Sequence, residues 1–233
     1  MKRDFSRLDR YLDELQKDIY PQPLDNLHAQ WMLDFIKWIW EHDYAKEIQE
    51  VLDVGSGQGD AQTFLCEFGV NTYQGVTLGD DVSVAQIKNK NVNRADFTFL
   101  PFEDQMTDMV FSRHSLEHSP MPIITLMEWL RISKKYLALV LPNPEFWTYV
   151  GLNHYSVMPD EQVQFLLKRT GWKVLDTKFD DKELWYLCRK HTNEDTQEEI
   201  RIKKEEDDRH EKERIYSEQF EKDKKEAEEK RLK

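Results

Sequence analysis

The segment Asp53-Val54-Gly55-Ser56-Gly57-Gln58-Gly59 is the most informative stretch of this chain for its fold. It ends a short β-prone run that begins at Val51, and a helical pattern begins near Thr63. Glycines at a strand-to-helix turn let the backbone turn sharply and let its amides approach a ligand closely. The following helix start adds a partial positive charge. The segment therefore predicts a ligand-binding turn after the first strand of an α/β domain.

The spacing of the glycines indicates which ligand this turn accepts. A dinucleotide site requires Gly-x-Gly-x-x-Gly, which would place the third glycine at position 60. Position 60 is Asp60, whose charge would repel a pyrophosphate, and the third glycine comes one residue early, at Gly59. The carboxylate of Asp53, before the first glycine, suits an ammonium group. The expected ligand is therefore a nucleoside that carries an amino acid.

Short strands and helices alternate from residue 50 to about residue 190. Strands are predicted over 51–54, 72–77, 92–95, 108–112, 136–141, 174–177 and 184–188, and helices over 63–68, 82–88, 123–132 and 160–169. This alternation is typical of a parallel sheet covered by helices on both faces. No helix separates the last two strands, so they should form an antiparallel hairpin at one edge.

The chain is predicted to comprise three regions. These are an N-terminal helical cap over 1–47, the ligand-binding domain over 48–190 and a charged tail over 191–233. The second cap helix, expected from its N-cap Asp25 to His42, has a heavy aromatic load that either packs on the sheet or roofs a ligand pocket. The tail is expected to be either a solvated helix or disordered.

Composition restricts the possible partners and the compartment. A net charge of −12, with no basic stripe before residue 190, disfavours nucleic acid. Cys66 and Cys188 are expected to be small buried residues of a protein in a reducing compartment, and their spacing predicts no metal site. The most apolar N-terminal run, 31–40, is too short to span a membrane, and no leader peptide is predicted. The expected location is the cytoplasm.

Several later segments resemble, in order and spacing, the class I S-adenosylmethionine-dependent methyltransferases of the type 11 kind. These segments are Asp96–Phe102, with an acid four residues before Leu-Pro-Phe, then Asp108–His118, then Gly151–Tyr155 and Gly171-Trp172. With the glycine turn, the resemblance spans about residues 48–189. It implies a Rossmann-like, seven-stranded, mostly parallel sheet, S-adenosylmethionine as the cofactor, and methyl transfer as the activity.

The resemblance also implies roles for individual residues. Asp53 would lie near the methionine ammonium, Asp96 would accept a hydrogen bond from the adenine amino group, and Arg113 would lie under the sulfonium. The family usually has an acid after the second strand for the ribose hydroxyls, whereas this chain has Thr77, with acids only at 80 and 81. The full set of predicted cofactor-binding residues is Asp53, Gly55, Ser56, Gly57, Gly59, Thr77, Leu78, Asp96, Phe97, Ser112 and Arg113.

The acceptor side is less defined by the sequence. An oxygen acceptor would require a base that titrates near neutral pH, and His114 and His154 are the predicted catalytic residues. His118 is expected to support the loop. The aromatic residues Trp147, Tyr149 and Tyr155 are expected either to line the acceptor pocket or to pack on the sheet edge.

Three functions remain open from the sequence. The first is a methyltransferase for a small molecule: a sugar, a lipid-linked compound or another metabolite. The second is a scaffold that binds S-adenosylmethionine without turnover and holds a protein partner through the charged tail. The third is a methyltransferase for a protein or nucleic acid, recruited by the tail or by the N-terminal helices.

Overall fold

The computed structural model describes residues 6–15, 25–146 and 153–231. Its helices are α1 (Ser6–Leu15), α2 (Asn26–Trp40), α3 (Ala61–Glu67), α4 (Asp81–Ile87), α5 (Pro122–Ile132), α6 (Asp160–Arg169) and α7 (Asn193–Arg231). Its strands are β1 (Glu50–Val54), β2 (Thr72–Thr77), β3 (Val92–Arg94), β4 (Thr107–Arg113), β5 (Ser133–Pro142), β6 (Trp172–Phe179) and β7 (Glu183–Lys190). Short 3-10 turns lie at Asp43–Glu47 and Leu116–His118.

The described strands form one sheet in the order β3-β2-β1-β4-β5-β7-β6. Strands β1 to β5 pair in parallel, whereas β7 is antiparallel to both β5 and β6. The predicted α/β class, the mostly parallel sheet and the C-terminal hairpin are confirmed. The sequence did not indicate that β7 would lie between β5 and the edge strand β6.

Strand β5 begins three residues earlier than its apolar run predicted. Ser133 pairs with Thr107, and the side chains of Lys134 and Lys135 are exposed. Lysines at the end of a strand can reach water while the backbone stays in the ladder, so apolar content alone underestimates the length of this strand.

Helices cover both faces of the sheet, as predicted. On one face α5 and α6 bury Trp129, Leu137 and Leu167. On the other face α2 and α3 bury Phe35, whose ring packs against Phe111 of β4 and Trp185 of β7. Most of the aromatic load of α2 is therefore core.

Local signals explain where α2 begins and how α3 is oriented. The side chain of Asp25 accepts a hydrogen bond from the His28 amide at 2.8 Å, which confirms it as the N-cap.

On α3 the buried positions are Ala61 and Leu65, so Cys66 faces solvent. The prediction that both cysteines are buried is therefore wrong for Cys66 and right for Cys188, which lies in the core of β7.

The chain divides into two compact units, Met1–Lys190 and His191–Lys233. The second unit contains α7, a single charged helix in which Arg201 pairs with Glu198, and Arg214 pairs with Glu211. Of the two expectations for the tail, the helix is the one observed. No described helix has both the length and the apolar character needed to cross a membrane.

Candidate functional site

A cavity of about 580 Å³ lies at the carboxyl ends of β1, β2 and β4. The predicted cofactor-binding residues that line it are Asp53, Gly55, Ser56, Gly57, Thr77, Leu78, Asp96, Phe97 and Arg113. His114 and His154 line it too. Gly59 instead packs against β3, and Ser112 is fully buried in β4. Ligands bind at this end of parallel sheets, because loops from successive strands converge there.

The glycine loop folds back over β2. The amides of Gly55 and Ser56 both donate to the carbonyl of Val76, at 2.9 and 3.0 Å. Gly55 has φ +75°, and a Cβ there would lie 1.9 Å from Ser115 Oγ. Gly57 has φ +51°, and its Cβ direction points into open space. A side chain at Gly57 would therefore occupy room that the cavity leaves for a ligand, which fits a loop built to hold one.

Asp53 places a buried carboxylate at the bottom of this cavity. Its Oδ2 accepts a hydrogen bond from Tyr73 Oη at 2.7 Å. Burial is the main cause of a rise in the pKa of Asp53 to about 7. The hydrogen bond from Tyr73 lowers this pKa, and the charge of Asp60 raises it. A buried carboxylate of this kind gains stability from a cation, so it fits the ammonium group of S-adenosylmethionine.

An acid that suits the ribose hydroxyls comes from α4 rather than from β2. Asp81 is 5% exposed, lines the cavity and accepts a hydrogen bond from Gln58 Nε2 at 3.2 Å. Asp80 is exposed at the start of the helix, and Thr77 lines the cavity from the end of β2. The sequence analysis predicted Thr77 and only noted the two acids, because the direction of a side chain in the β2–α4 turn depends on its backbone path.

The segment expected on the adenine side is held by α5. Asp96 accepts a hydrogen bond from the Thr98 amide at 2.8 Å, and Trp129 Nε1 donates to the Phe97 carbonyl at 2.9 Å. Trp129 is fully buried, so this hydrogen bond fixes the loop on the core. Trp129 is a supporting residue that the sequence analysis missed.

Four charged groups form a chain beside the cavity. Arg113 and His114 Nε2 both contact Glu183 Oε1, at 2.6 and 2.7 Å, and His114 Nδ1 lies 3.2 Å from Glu117 Oε1. Glu183 is 69 residues from His114 in the sequence and lies beside it because β7 pairs with β5. No local signal in the sequence could therefore have identified Glu183.

The charges of this chain stabilise one another. Burial opposes ionisation of His114, but its hydrogen bonds to Glu117 and Glu183 outweigh that effect and raise its pKa. Burial would also raise the pKa of Glu183, but the hydrogen bond from His114 and the charge of Arg113 lower it to about 2. Glu183 and Glu117 thus alternate with Arg113 and His114, and a carboxylate contacts each ring nitrogen of His114.

His154 lies in the segment that leads to α6. Its ring centroid is 4.6 Å from that of His118. Tyr155 also lines the cavity, and its Oη donates to the Leu15 carbonyl at 3.2 Å. Trp147 and Tyr149 lie outside the described residues, as does the start of the Gly151–Tyr155 segment.

The comparisons with known proteins agree with this geometry. Residues 52–139 match a family model described as a methyltransferase domain. This part of the chain is therefore a methyltransferase domain. This result confirms the predicted family, enzyme class and cofactor. A comparison with curated protein sequences found no significant match.

Solved structures share the fold of this methyltransferase. A magnesium protoporphyrin IX methyltransferase from Synechocystis, solved with bound SAH, has 15% identity and a TM-score of 0.58, covering 80% of this chain and 100% of that one. A putative methyltransferase from Bacillus halodurans has 18% identity and a TM-score of 0.57, covering 69% and 99%. A SAM-dependent methyltransferase from Aquifex aeolicus has 20% identity and a TM-score of 0.55, covering 81% and 99%.

When bound, S-adenosylmethionine supplies an activated methyl group on a sulfonium. The predicted role of the chain's residues is to hold it, with Asp53 at the ammonium, Thr77 at the ribose and Asp96 at the adenine. Asp81, which was not in the predicted set, also lines the cavity. These assignments remain predictions, although the shape and charge of the cavity fit them.

Proposed function

We propose that this methyltransferase acts on a small molecule: a sugar, a lipid-linked compound or another metabolite. The observation that carries the proposal is that the cavity of the glycine loop is also lined by α1 and α2, through Leu15, His28, Trp31 and Met32. The acceptor side is thus covered by apolar and aromatic side chains. A volume of about 580 Å³ lies within the range of small-molecule sites.

The charges around the cavity favour a neutral or cationic acceptor. Carboxylates line it at Asp53, Asp60, Asp81, Asp96 and Glu117, and the whole chain carries a net charge of −12. Phosphate groups would be repelled by this environment. These observations support a small acceptor without phosphate over a nucleic acid.

Methyl transfer is an in-line displacement, so the residues need mainly to align donor and acceptor, exclude water and, for a hydroxyl acceptor, remove a proton. His114 suits a positioning role, because carboxylates contact both of its ring nitrogens and favour its charged form. His154 is therefore our preferred base. It would accept the acceptor's proton while the oxygen forms its bond to the methyl carbon and the bond from that carbon to sulfur breaks.

Two measurements test the proposal. Calorimetry should show one S-adenosylmethionine bound per chain, and labelled methyl groups should be transferred to the small-molecule fraction of a metabolite extract. His154→Ala should lower kcat by roughly 10²–10⁴-fold with unchanged cofactor affinity, whereas His210→Ala, an exposed control on α7, should have no effect. Transfer of the methyl group only to protein or nucleic acid would reject the small-molecule acceptor. Full turnover by His154→Ala would reject His154 as the base.

A protein partner on the tail is a second candidate, because α7 is a 39-residue helix rich in charge. One of the structural neighbours is a putative methyltransferase in complex with the Haloferax volcanii Trm112 methyltransferase activator. If the tail recruits a macromolecular acceptor, deleting residues 193–233 should abolish methylation of that acceptor and leave cofactor binding intact. If the acceptor is small, the deletion should leave turnover unchanged.

A further inference from the structure

Glu117, His118 and His154 form a compact cluster on the wall of the cavity. One ligating atom from each residue lies within 4.8 Å of the other two. Glu117 and His118 belong to the 3-10 turn after β4, and His154 lies 36 residues later in the chain. The spacing of the two cysteines predicted no metal site, and this cluster contains no cysteine.

Glu117 has one carboxylate oxygen that accepts no hydrogen bond from the part of the chain that the structure describes. The residue is 1% exposed, and its Oε1 contacts His114 Nδ1 at 3.2 Å. Its Oε2 is buried and has no hydrogen-bond partner among the described residues. Leaving a buried charged acceptor unsatisfied is costly, so such atoms usually have a water or an ion as their partner. A cation would satisfy this oxygen.

His118 is oriented as metal-binding histidines are. Its Nδ1 lies 3.1 Å from the Asn153 carbonyl, which can only accept, so Nδ1 carries the proton. In the neutral ring the lone pair is then on Nε2, which is the nitrogen that could bind an ion. A ligating histidine typically donates its other N–H to a carbonyl or carboxylate in this way.

The two segments that carry the cluster are tied together by their backbones. The amides of Tyr155 and Ser156 both donate to the Glu117 carbonyl, at 2.7 and 2.9 Å. Ser156 Oγ donates to the Ser119 carbonyl at 2.7 Å. These hydrogen bonds hold the backbone next to His154 beside that of Glu117, so the fold brings the two segments of the cluster together.

We propose that Glu117, His118 and His154 bind a divalent first-row transition ion such as Zn²⁺ or Fe²⁺. Two imidazoles and one carboxylate are a characteristic ligand set for these ions, with further positions open to water or substrate. Ligand atoms about 2.0–2.2 Å from an ion lie roughly 3–4 Å apart. The cluster, whose ligating atoms lie within 4.8 Å of one another, would have to contract to that size when it binds the ion.

The ion would lie in the same cavity as the acceptor. An acceptor hydroxyl bound at an open position would lose its proton more readily, because a divalent cation stabilises the oxyanion. His154 would then hold the ion in place of accepting a proton. This consequence depends on the proposed function, whereas binding of the ion does not.

Metal binding is tested on the full chain after chelation and dialysis. Co²⁺ serves as a probe because its visible absorption reports the ligand geometry, and Zn²⁺ is titrated by calorimetry and in competition with Co²⁺. We expect one ion per chain. His118→Ala, His154→Ala and Glu117→Gln should each weaken binding at least about tenfold, whereas His210→Ala should not change it.

Thermal unfolding and S-adenosylmethionine calorimetry show whether each variant is folded. If an alanine variant does not fold, Glu117→Gln, which keeps the side-chain size, decides whether the cluster binds the ion. No bound ion in the wild-type chain, or undiminished affinity in folded Glu117→Gln, would overturn the metal site. An ion bound at this site without any methyl transfer would instead reject the proposed function and leave the metal site standing.

Discussion

The replacement Asp53→Asn should have opposite effects on stability and on cofactor binding. It removes the charge and keeps the shape, and Tyr73 Oη can still donate to the amide oxygen. Burial raises the pKa of Asp53 from its ordinary value of 3.8 to about 7. At 1.36 kcal/mol per pH unit, this rise corresponds to a free-energy penalty of about 4 kcal/mol when the carboxylate is charged in the folded chain.

The sign of the pH dependence follows from that shift. Because the folded pKa lies above the unfolded one, the penalty is absent below about pH 4, grows between pH 4 and 7, and is complete above pH 7. Asp53→Asn should therefore gain stability relative to the wild type across this interval, by up to about 4 kcal/mol. Urea unfolding of both proteins at pH 4.5, 6 and 8 measures the difference.

Cofactor binding should respond in the other direction. The charged carboxylate is the proposed partner of the ligand's ammonium, and removing one member of a buried ion pair costs about 2–5 kcal/mol. Calorimetry at pH 7.5 should therefore show a Kd at least roughly 30-fold higher in Asp53→Asn. Wild-type affinity should be highest between pH 7, where Asp53 ionises, and about pH 8, where an α-amino group loses its charge.

Tyr73→Phe is the matched control. It removes the hydrogen bond that lowers the pKa of Asp53, so the interval in which stability changes should move to higher pH. The reasoning would be refuted by a stability difference between Asp53→Asn and the wild type that stays constant from pH 4.5 to 8. An unchanged Kd in Asp53→Asn would refute the assignment of Asp53 to the ammonium.

Three further predictions concern the residues that support the site. Gly55→Ala and Gly69→Ala both force alanine to a positive φ, but only the Cβ at Gly55 would meet Ser115 Oγ, at 1.9 Å. Urea unfolding should therefore show Gly55→Ala to be the more destabilised by about 1–3 kcal/mol, and equal losses would contradict this explanation. Glu183→Gln should cost about 3–5 kcal/mol near pH 7, because it removes the buried carboxylate that contacts both Arg113 and His114. The pKa of Glu183 is lowered to about 2, so the stability advantage of the wild type over Glu183→Gln should disappear as the pH falls from about 4.5 to 2. Acid unfolding measures this, and a stability difference that does not change with pH would contradict the prediction. Trp129→Phe should cost about 1–3 kcal/mol and weaken S-adenosylmethionine binding, since the Phe97 carbonyl loses its donor. Unchanged calorimetry would show that this hydrogen bond does not position the adenine side.

Much of the fold could be predicted from the sequence because its signals are local. Strand β2 and helix α6 were predicted with their observed ends, since apolar runs and turn residues bound both segments. The Asp25 cap of α2 was found by the same kind of signal. Errors came where side chains at the end of an element reach solvent, as at Lys134 in β5, or where one helix position faces outward, as at Cys66.

The sequence by itself determined the glycine turn at Asp53–Gly59, the class of ligand, and a mostly parallel sheet with a C-terminal hairpin. These features depend on residue types at short spacing, where backbone sterics and strand propensity act directly. Only the tertiary structure decided that β7 would bring Glu183 to Arg113 and that His154 would meet Glu117 and His118. Such groups are far apart in the chain, and their distances are set by sheet order and by backbone hydrogen bonds between loops, which no local pattern encodes.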